Sequence, residues 1–190
     1  MKLYASDAAV NDYFGISVSL NRDTALIGAT GDDDNSQSHS GSVYVFTRSN
    51  SDGATFTQHA KLHSNDAEVE DHFGMSVSLC GNTALIGAKN DDDNSKSSSG
   101  SVYVFTRSSV DGGTFTQQSK LHAKNSAVDH WFGHSVSLYG DTALIGAHGD
   151  DDNGQSNSGS VYVFTRSNAD GGKFTQRSKL HANDPADEDY

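Results

Sequence analysis

The sequence predicts an all-β chain, a β-propeller segment of three four-stranded antiparallel blades. Three observations carry that expectation. One set of motifs recurs three times at a fixed step, each recurrence holds short apolar runs patterned as strands, and no segment keeps helical periodicity beyond about one turn. Phe14-Gly15, Phe73-Gly74 and Phe132-Gly133 stand 59 residues apart, and Lys2-Leu3, Lys61-Leu62, Lys120-Leu121 and Lys179-Leu180 keep the same step. The blade repeats are therefore 2–60, 61–119 and 120–178, and 179–190 opens a fourth.

Within the first unit, Phe14 to Leu20 alternates large and small residues, as a strand does, and Asn21-Arg22-Asp23 is a short polar turn. Thr24 to Ala29 is a nearly continuous apolar strand. A long polar loop, 30–41, leads to a third strand over Ser42–Arg48. A turn around Asp52-Gly53 precedes a more polar fourth strand from about Thr55 to His63. The middle strands are apolar at consecutive positions, with Val43 and Val45 on one face and Tyr44 and Phe46 on the other. A sheet with one wet face would alternate apolar and polar residues, so this pattern calls for burial on both faces, as between stacked blades. The polar fourth strand suits an outer edge, and the small residues Gly15, Ser17 and Ser19 suit a crowded centre.

The 190 residues carry 25 Asp and Glu against 13 Lys and Arg, a formal net charge of −12. That balance argues against nucleic acid or an anionic membrane surface as the partner. No apolar run reaches the roughly 20 residues of a membrane span, so membrane insertion is not expected. With Cys80 as the one cysteine, no intramolecular disulfide is expected. Met1-Lys2-Leu3 begins directly in repeat sequence, without the apolar stretch of a signal peptide.

Phe-Gly-x-Ser-Val-Ser-Leu, a tight turn and Thr-Ala-Leu-Ile-Gly-Ala together resemble the FG-GAP repeat. This is the blade of the integrin α-subunit head and of many microbial surface proteins. The Asp-Asp-Asp-Asn and Ser-Gly-Ser-Val-Tyr-Val-Phe segments that follow are closest to the microbial variant. The resemblance spans essentially the whole chain and implies an extracellular or surface-exposed adhesion or ligand-binding module, often with calcium in blade loops. The integrin-type cation loop is not carried over: the first hairpin here, Asn21-Arg22-Asp23, is too short to wrap an ion.

The candidate metal ligands lie instead in the Asp triplets: Asp32, Asp34 and Asn35; Asp91, Asp93 and Asn94; Asp150, Asp152 and Asn153. Alternate residues of an extended segment point the same way, and oxygen donors in this density suit Ca²⁺, which takes about 6 to 8 of them. The competing reading is a solvated loop whose Asp side chains cap backbone amides. Asp7 and Asp12 could complete a site, whereas the third unit carries Asn125 and His130 there. His130 and His134 lack the helical setting that zinc spacing needs, and His63, His122 and His181 read as exposed strand ends. Arg48, Arg107 and Arg166 are expected to pair with Asp52, Asp111 and Asp170, the alternative being a ring of ligand-facing cations. Cys80 reads as a bystander beside a turn, and Trp131 as core or rim packing.

No nucleophile or acid–base set recurs, so no enzyme is expected within these residues. The expectation is a non-enzymatic extracellular or cell-surface β-propeller module, calcium-stabilised, that binds a protein or glycan ligand or other copies of itself. Alternatives are a structural repeat protein assembling into oligomers or filaments, and an accessory propeller of a larger surface protein or hydrolase. Closed propellers have about 4 to 8 blades, so three form an incomplete ring, closed by oligomerisation or by further repeats.

Overall fold

The computed structural model describes residues 2–33, 36–48, 55–93, 95–108, 113–151, 155–167 and 172–183. Three four-stranded antiparallel sheets follow one another, each with its strands in sequence order. The first holds β1 (Val18–Asn21), β2 (Thr24–Ala29), β3 (Ser42–Arg48) and β4 (Phe56–Leu62). The second holds β5 (Phe73–Cys80), β6 (Thr83–Ala88), β7 (Ser101–Thr106) and β8 (Thr116–Leu121). The third holds β9 (Ser135–Tyr139), β10 (Thr142–Ala147), β11 (Ser160–Thr165) and β12 (Thr175–Leu180). No described residue is helical, and the sheets do not close into a ring, so the fold is an incomplete β-propeller of three blades.

The two-sided apolar pattern of the middle strands does what it predicts. Leu26, Val43, Val45 and Leu62 of blade 1 pack on Phe73, Val77, Leu79, Ile86, Tyr103 and Phe105 of blade 2. The opposite face of blade 2, with Leu85, Val102, Val104 and Leu121, packs on Phe132, Leu138, Ile145, Tyr162 and Phe164 of blade 3. Blade 2 is thus covered on both sides, and β6 is buried at every position.

Close approach at the inner strands explains the two glycine motifs. A Cβ on Gly28 would lie 2.1 Å from the Gly74 carbonyl oxygen, so the Phe-Gly of one blade sits on the Gly-Ala of the blade before it. Ser17 Oγ donates to the same oxygen at 2.7 Å, and Ser76 Oγ repeats the bond to Gly133 at 2.7 Å. At the outer edge, the ladder between strands three and four slips one residue at the same place in every blade, after Val45, Val104 and Val163. Such a bulge twists the exposed edge and makes it a poorer template for pairing.

The blade and the sequence unit are out of phase. Lys61-Leu62, Lys120-Leu121 and Lys179-Leu180 open the units 61–119, 120–178 and 179–190, yet each pair ends the fourth strand of the preceding blade. Residues 184–190 lie outside the described residues.

Candidate functional site

The polar rim of each blade is organised around the first aspartate of its triplet. Asp32 is buried and accepts hydrogen bonds from Ser42 Oγ at 2.7 Å and Tyr44 Oη at 3.0 Å. Lys61 Nζ lies 2.8 Å from Asp32 Oδ2 and 2.8 Å from Asp7 Oδ2, and Tyr44 Oη is 2.9 Å from Asp7 Oδ1. Loop, strand three, strand four and the lead-in segment thus meet at one lysine. Blade 2 repeats the cluster: Lys120 Nζ is 2.8 Å from Asp91 and 2.9 Å from Asp66, and Tyr103 donates to Asp91 at 2.8 Å. In blade 3, Lys179 Nζ is 2.6 Å from Asp150, Asn125 takes the place of Asp7, and His130 Nδ1 stands 2.7 Å from Asp150 Oδ1.

These groups shift one another's protonation. Burial works against the charged forms of Lys61 and Lys120, but their aspartate hydrogen bonds outweigh it and hold both ammonium groups above the ordinary lysine range. Burial likewise opposes ionisation of Asp7 and Asp66, and their lysine hydrogen bonds reverse it, leaving both below the usual carboxylate range. Burial and the adjacent aspartates push the Tyr44 and Tyr103 hydroxyls up, so both stay protonated donors.

The second aspartate of each triplet does different work. Asp33, Asp92 and Asp151 are exposed, and each accepts a backbone N–H six residues on, from His39 at 2.9 Å, Ser98 at 2.7 Å and Asn157 at 2.9 Å. The side chain closes its own loop, which is the capping role open to aspartate in turns. Of the third positions, Asp93 is described: it is buried, its N–H donates to Ser99 Oγ at 3.1 Å, and its carboxylate is 3.6 Å from His122. Asp34, Asn35, Asn94, Asp152 and Asn153 lie outside the described residues. As a calcium cradle, the inner carboxylates Asp32, Asp91 and Asp150 are a poor fit, because lysine and hydroxyl donors already take their oxygens. The charge density of the triplets therefore meets its first cation inside the chain. In front of the blade 1 cluster opens a polar cleft of about 440 Å³ lined by Asp7, Asp12, Asp32, Asp33, His39 and Lys61.

Other sequence expectations resolve one by one. Asp52, Asp111 and Asp170 lie outside the described residues; Arg48 Nε donates to Asp23 at 2.8 Å and Arg166 Nε to Asp141 at 2.9 Å. Asn82 stands at that place in blade 2, and Arg107 reaches back to Thr24 Oγ1 of blade 1 at 2.9 Å. Cys80 Sγ accepts from Gly140 N–H at 3.4 Å, a weak bond between inner turns. Trp131 is rim packing, stacked on His148 at 4.7 Å. His122 and His181 are exposed, while His63 is half-buried with Nδ1 3.2 Å from Ser64 O. Sequence reasoning missed the convergence of His39, Glu70 and His72 between blades 1 and 2. Its one visible signal was that His39 and His72 have no histidine counterparts in the other units.

The sequence profile of the FG-GAP repeat matches residues 1–46, 56–105 and 115–164, and the second and third matches each open on the fourth strand of the preceding blade. The chain belongs to the FG-GAP repeat family. No curated protein matches it. The FG-GAP blades here keep the glycine contacts that give the repeat its motifs, and their rims carry the polar groups. Among the described residues no helix is long and apolar enough to cross a membrane.

Proposed function

We propose that this FG-GAP chain is a non-enzymatic binding or adhesion module, working outside the cell or at its surface, that recognises a protein or glycan through its blade rims. The observation that carries this reading is the tied-down rim. The first aspartate of each triplet is held from inside by a lysine and the second by a backbone N–H six residues on, so exposed carboxylates are presented at a reduced ordering cost on binding. The test is retention of the untagged chain on immobilised glycans and extracellular proteins, against a triple variant Asp33→Asn, Asp92→Asn, Asp151→Asn. Asparagine keeps the loop-closing oxygen and removes the charge. Binding should fall at least tenfold with melting unchanged; unaltered binding by the variant would remove the rim from this reading.

Calcium belongs to the same proposal and is tested apart from it. Support comes from carboxylate density; the competitor is the lysine in each cluster. A calcium-dependent rise in melting temperature that a chelator reverses would assign the ion to these loops, since a native-state ligand stabilises by mass action. Unchanged melting would leave lysine as the sole counter-ion.

Head-to-tail assembly is favoured by a separate observation. Leu144, Val161 and Leu180 are exposed on blade 3, whereas Leu26, Val43 and Leu62, and Leu85, Val102 and Leu121, are buried against a following blade. Val18 and Leu20 are exposed on blade 1, where Val77 and Leu79 are buried. The two end faces are therefore complementary by repeat equivalence, to further FG-GAP blades or to a second copy. Sedimentation across a concentration series decides: association that Val161→Asp abolishes supports self-assembly, and a monomer throughout excludes it.

A further inference from the structure

We propose that His39, Glu70 and His72 form a binding site for a divalent transition-metal ion of the zinc type, which would cross-link blade 1 to blade 2. This goes beyond the rim-binding reading, with which it shares only the backbone bond from His39 N–H to Asp33. Glu70 divides its carboxylate between the two imidazoles: Oε1 is 2.9 Å from His39 Nδ1, and Oε2 is 3.2 Å from His72 Nε2. One ligand atom from each residue falls within 4.8 Å of the others. A tetrahedral shell with metal–ligand bonds of about 2.0 to 2.1 Å needs its ligand atoms about 3.3 Å apart, so small side-chain adjustments seat an ion. Two nitrogens and one carboxylate suit zinc and its first-row neighbours, and are a poor set for calcium, which prefers oxygen throughout. Glu70 is half-exposed, leaving a path for entry and room for water at the fourth position.

The backbone fixes the three residues before any metal arrives. His39, Glu70 and His72 all hold the left-handed conformation, with φ of 51°, 67° and 58°. Glu70 N–H donates to Ser38 O at 2.9 Å, His72 N–H to His39 O at 3.2 Å, and His39 N–H to Asp33 Oδ1 at 2.9 Å. Behind the site, the Asn90 amide lies 3.0 Å from His72 Nδ1, which leaves Nε2 facing the ligand position. Metal-bound histidines usually have such a partner on the second ring nitrogen.

The next junction supplies an internal control. Ser98, Asp129 and Trp131 occupy the equivalent positions, with φ of 49°, 59° and 52°. Asp129 N–H donates to Ser97 O at 3.0 Å and Trp131 N–H to Ser98 O at 3.2 Å. The seam is thus built the same way without the imidazoles. His39 and His72 are not what folds it, and a metal site is chemistry added to one junction alone.

Isothermal titration of the untagged chain with zinc chloride, in excess calcium, tests the proposal. One equivalent should bind, raise the melting temperature and be removed by a chelator; cobalt in its place should give the visible bands of a four-coordinate ion. The variant His39→Ser with His72→Ser should lose at least 100-fold in zinc affinity while its metal-free melting changes little. Asn90→Ala should weaken binding by about tenfold. Should the double variant fold poorly, the converse experiment decides. Ser98→His with Asp129→Glu and Trp131→His, on the native background, should raise the stoichiometry to two. No binding by the native chain, or full-affinity binding by the double variant, would overturn the proposal.

Discussion

Blades 2 and 3 share one backbone plan and differ sharply in how their rims balance charge. In blade 2, Asp71 is buried beside the cluster of Asp66, Asp91 and Lys120. Burial first, then Asp91 and Glu68, push its carboxyl up to about 7. In blade 3 the same position is His130, and only Asp150 remains of the three acids. Burial opposes its ionisation, but its polar neighbours His130, Lys179 and Ser160 bring it down to about 2. The repeat therefore conserves geometry more tightly than electrostatics. A carboxylate at the first position meets a lysine in both blades, while the residue facing it is a second buried acid in one and an imidazole in the other.

The sharpest way to break the comparison is to remove the lysines. Lys120→Met leaves Asp91 buried without its cation and should cost about 3–5 kcal/mol in a urea melt at pH 7. Lys179→Met should cost less, because His130 still faces Asp150. Second comes the inner seam. Gly87→Ala puts a Cβ 2.0 Å from the Gly133 carbonyl oxygen and should cost about 1–3 kcal/mol. At Gly146 the nearest atom is the blade's own Ser135 Oγ, which can rotate, so Gly146→Ala should cost less in the same melts.

Third is pH. Between about pH 4 and 7 the native state keeps a proton on Asp71 that the unfolded chain has released, so that residue's contribution falls as pH rises through this window. Asp71→Asn should therefore raise the melting temperature at pH 8 and have little effect at pH 4. Asp150 has the opposite sign: its contribution is present above about pH 4 and is lost as pH falls towards 2. Asp150→Asn should accordingly destabilise at pH 7 and much less near pH 2. The smallest effect is at the loop closure, where Asp92→Ala should cost about 1 kcal/mol and Asp92→Asn nearly nothing.

The strands in order and the two-sided burial of β2 and β3 were legible because each follows from residues adjacent in sequence; the close approach of Gly28 to Gly74 was not, and Gly15, expected in the crowd, has open space about it. Val43 to Phe46 declare their two faces by alternation alone. The rim clusters were not, because their members come from far apart: Asp7 meets Lys61, and Tyr44 meets Asp32, only after the blade has folded. The triplets announced a need for positive charge, and periodicity offers no means of telling a lysine in the next unit from an ion in solution. The His39, Glu70 and His72 cluster was hidden for a related reason. Left-handed loop positions have no strand or helix spacing, so only the seam between blades brings them together.

The phase difference between unit and blade has a consequence for how such a chain grows. A 59-residue step counted from Lys-Leu never closes on a finished blade; it stops on one awaiting its last two residues. Each added copy then brings, in its first residue, the lysine that seals the copy upstream. The repeat counted from Lys2 and the unit of folding are two different cuts of the same 59 residues. Anyone splicing, truncating or fusing this array should cut after Leu62 or Leu121, because a cut at the repeat boundary would separate a blade from its own counter-charge.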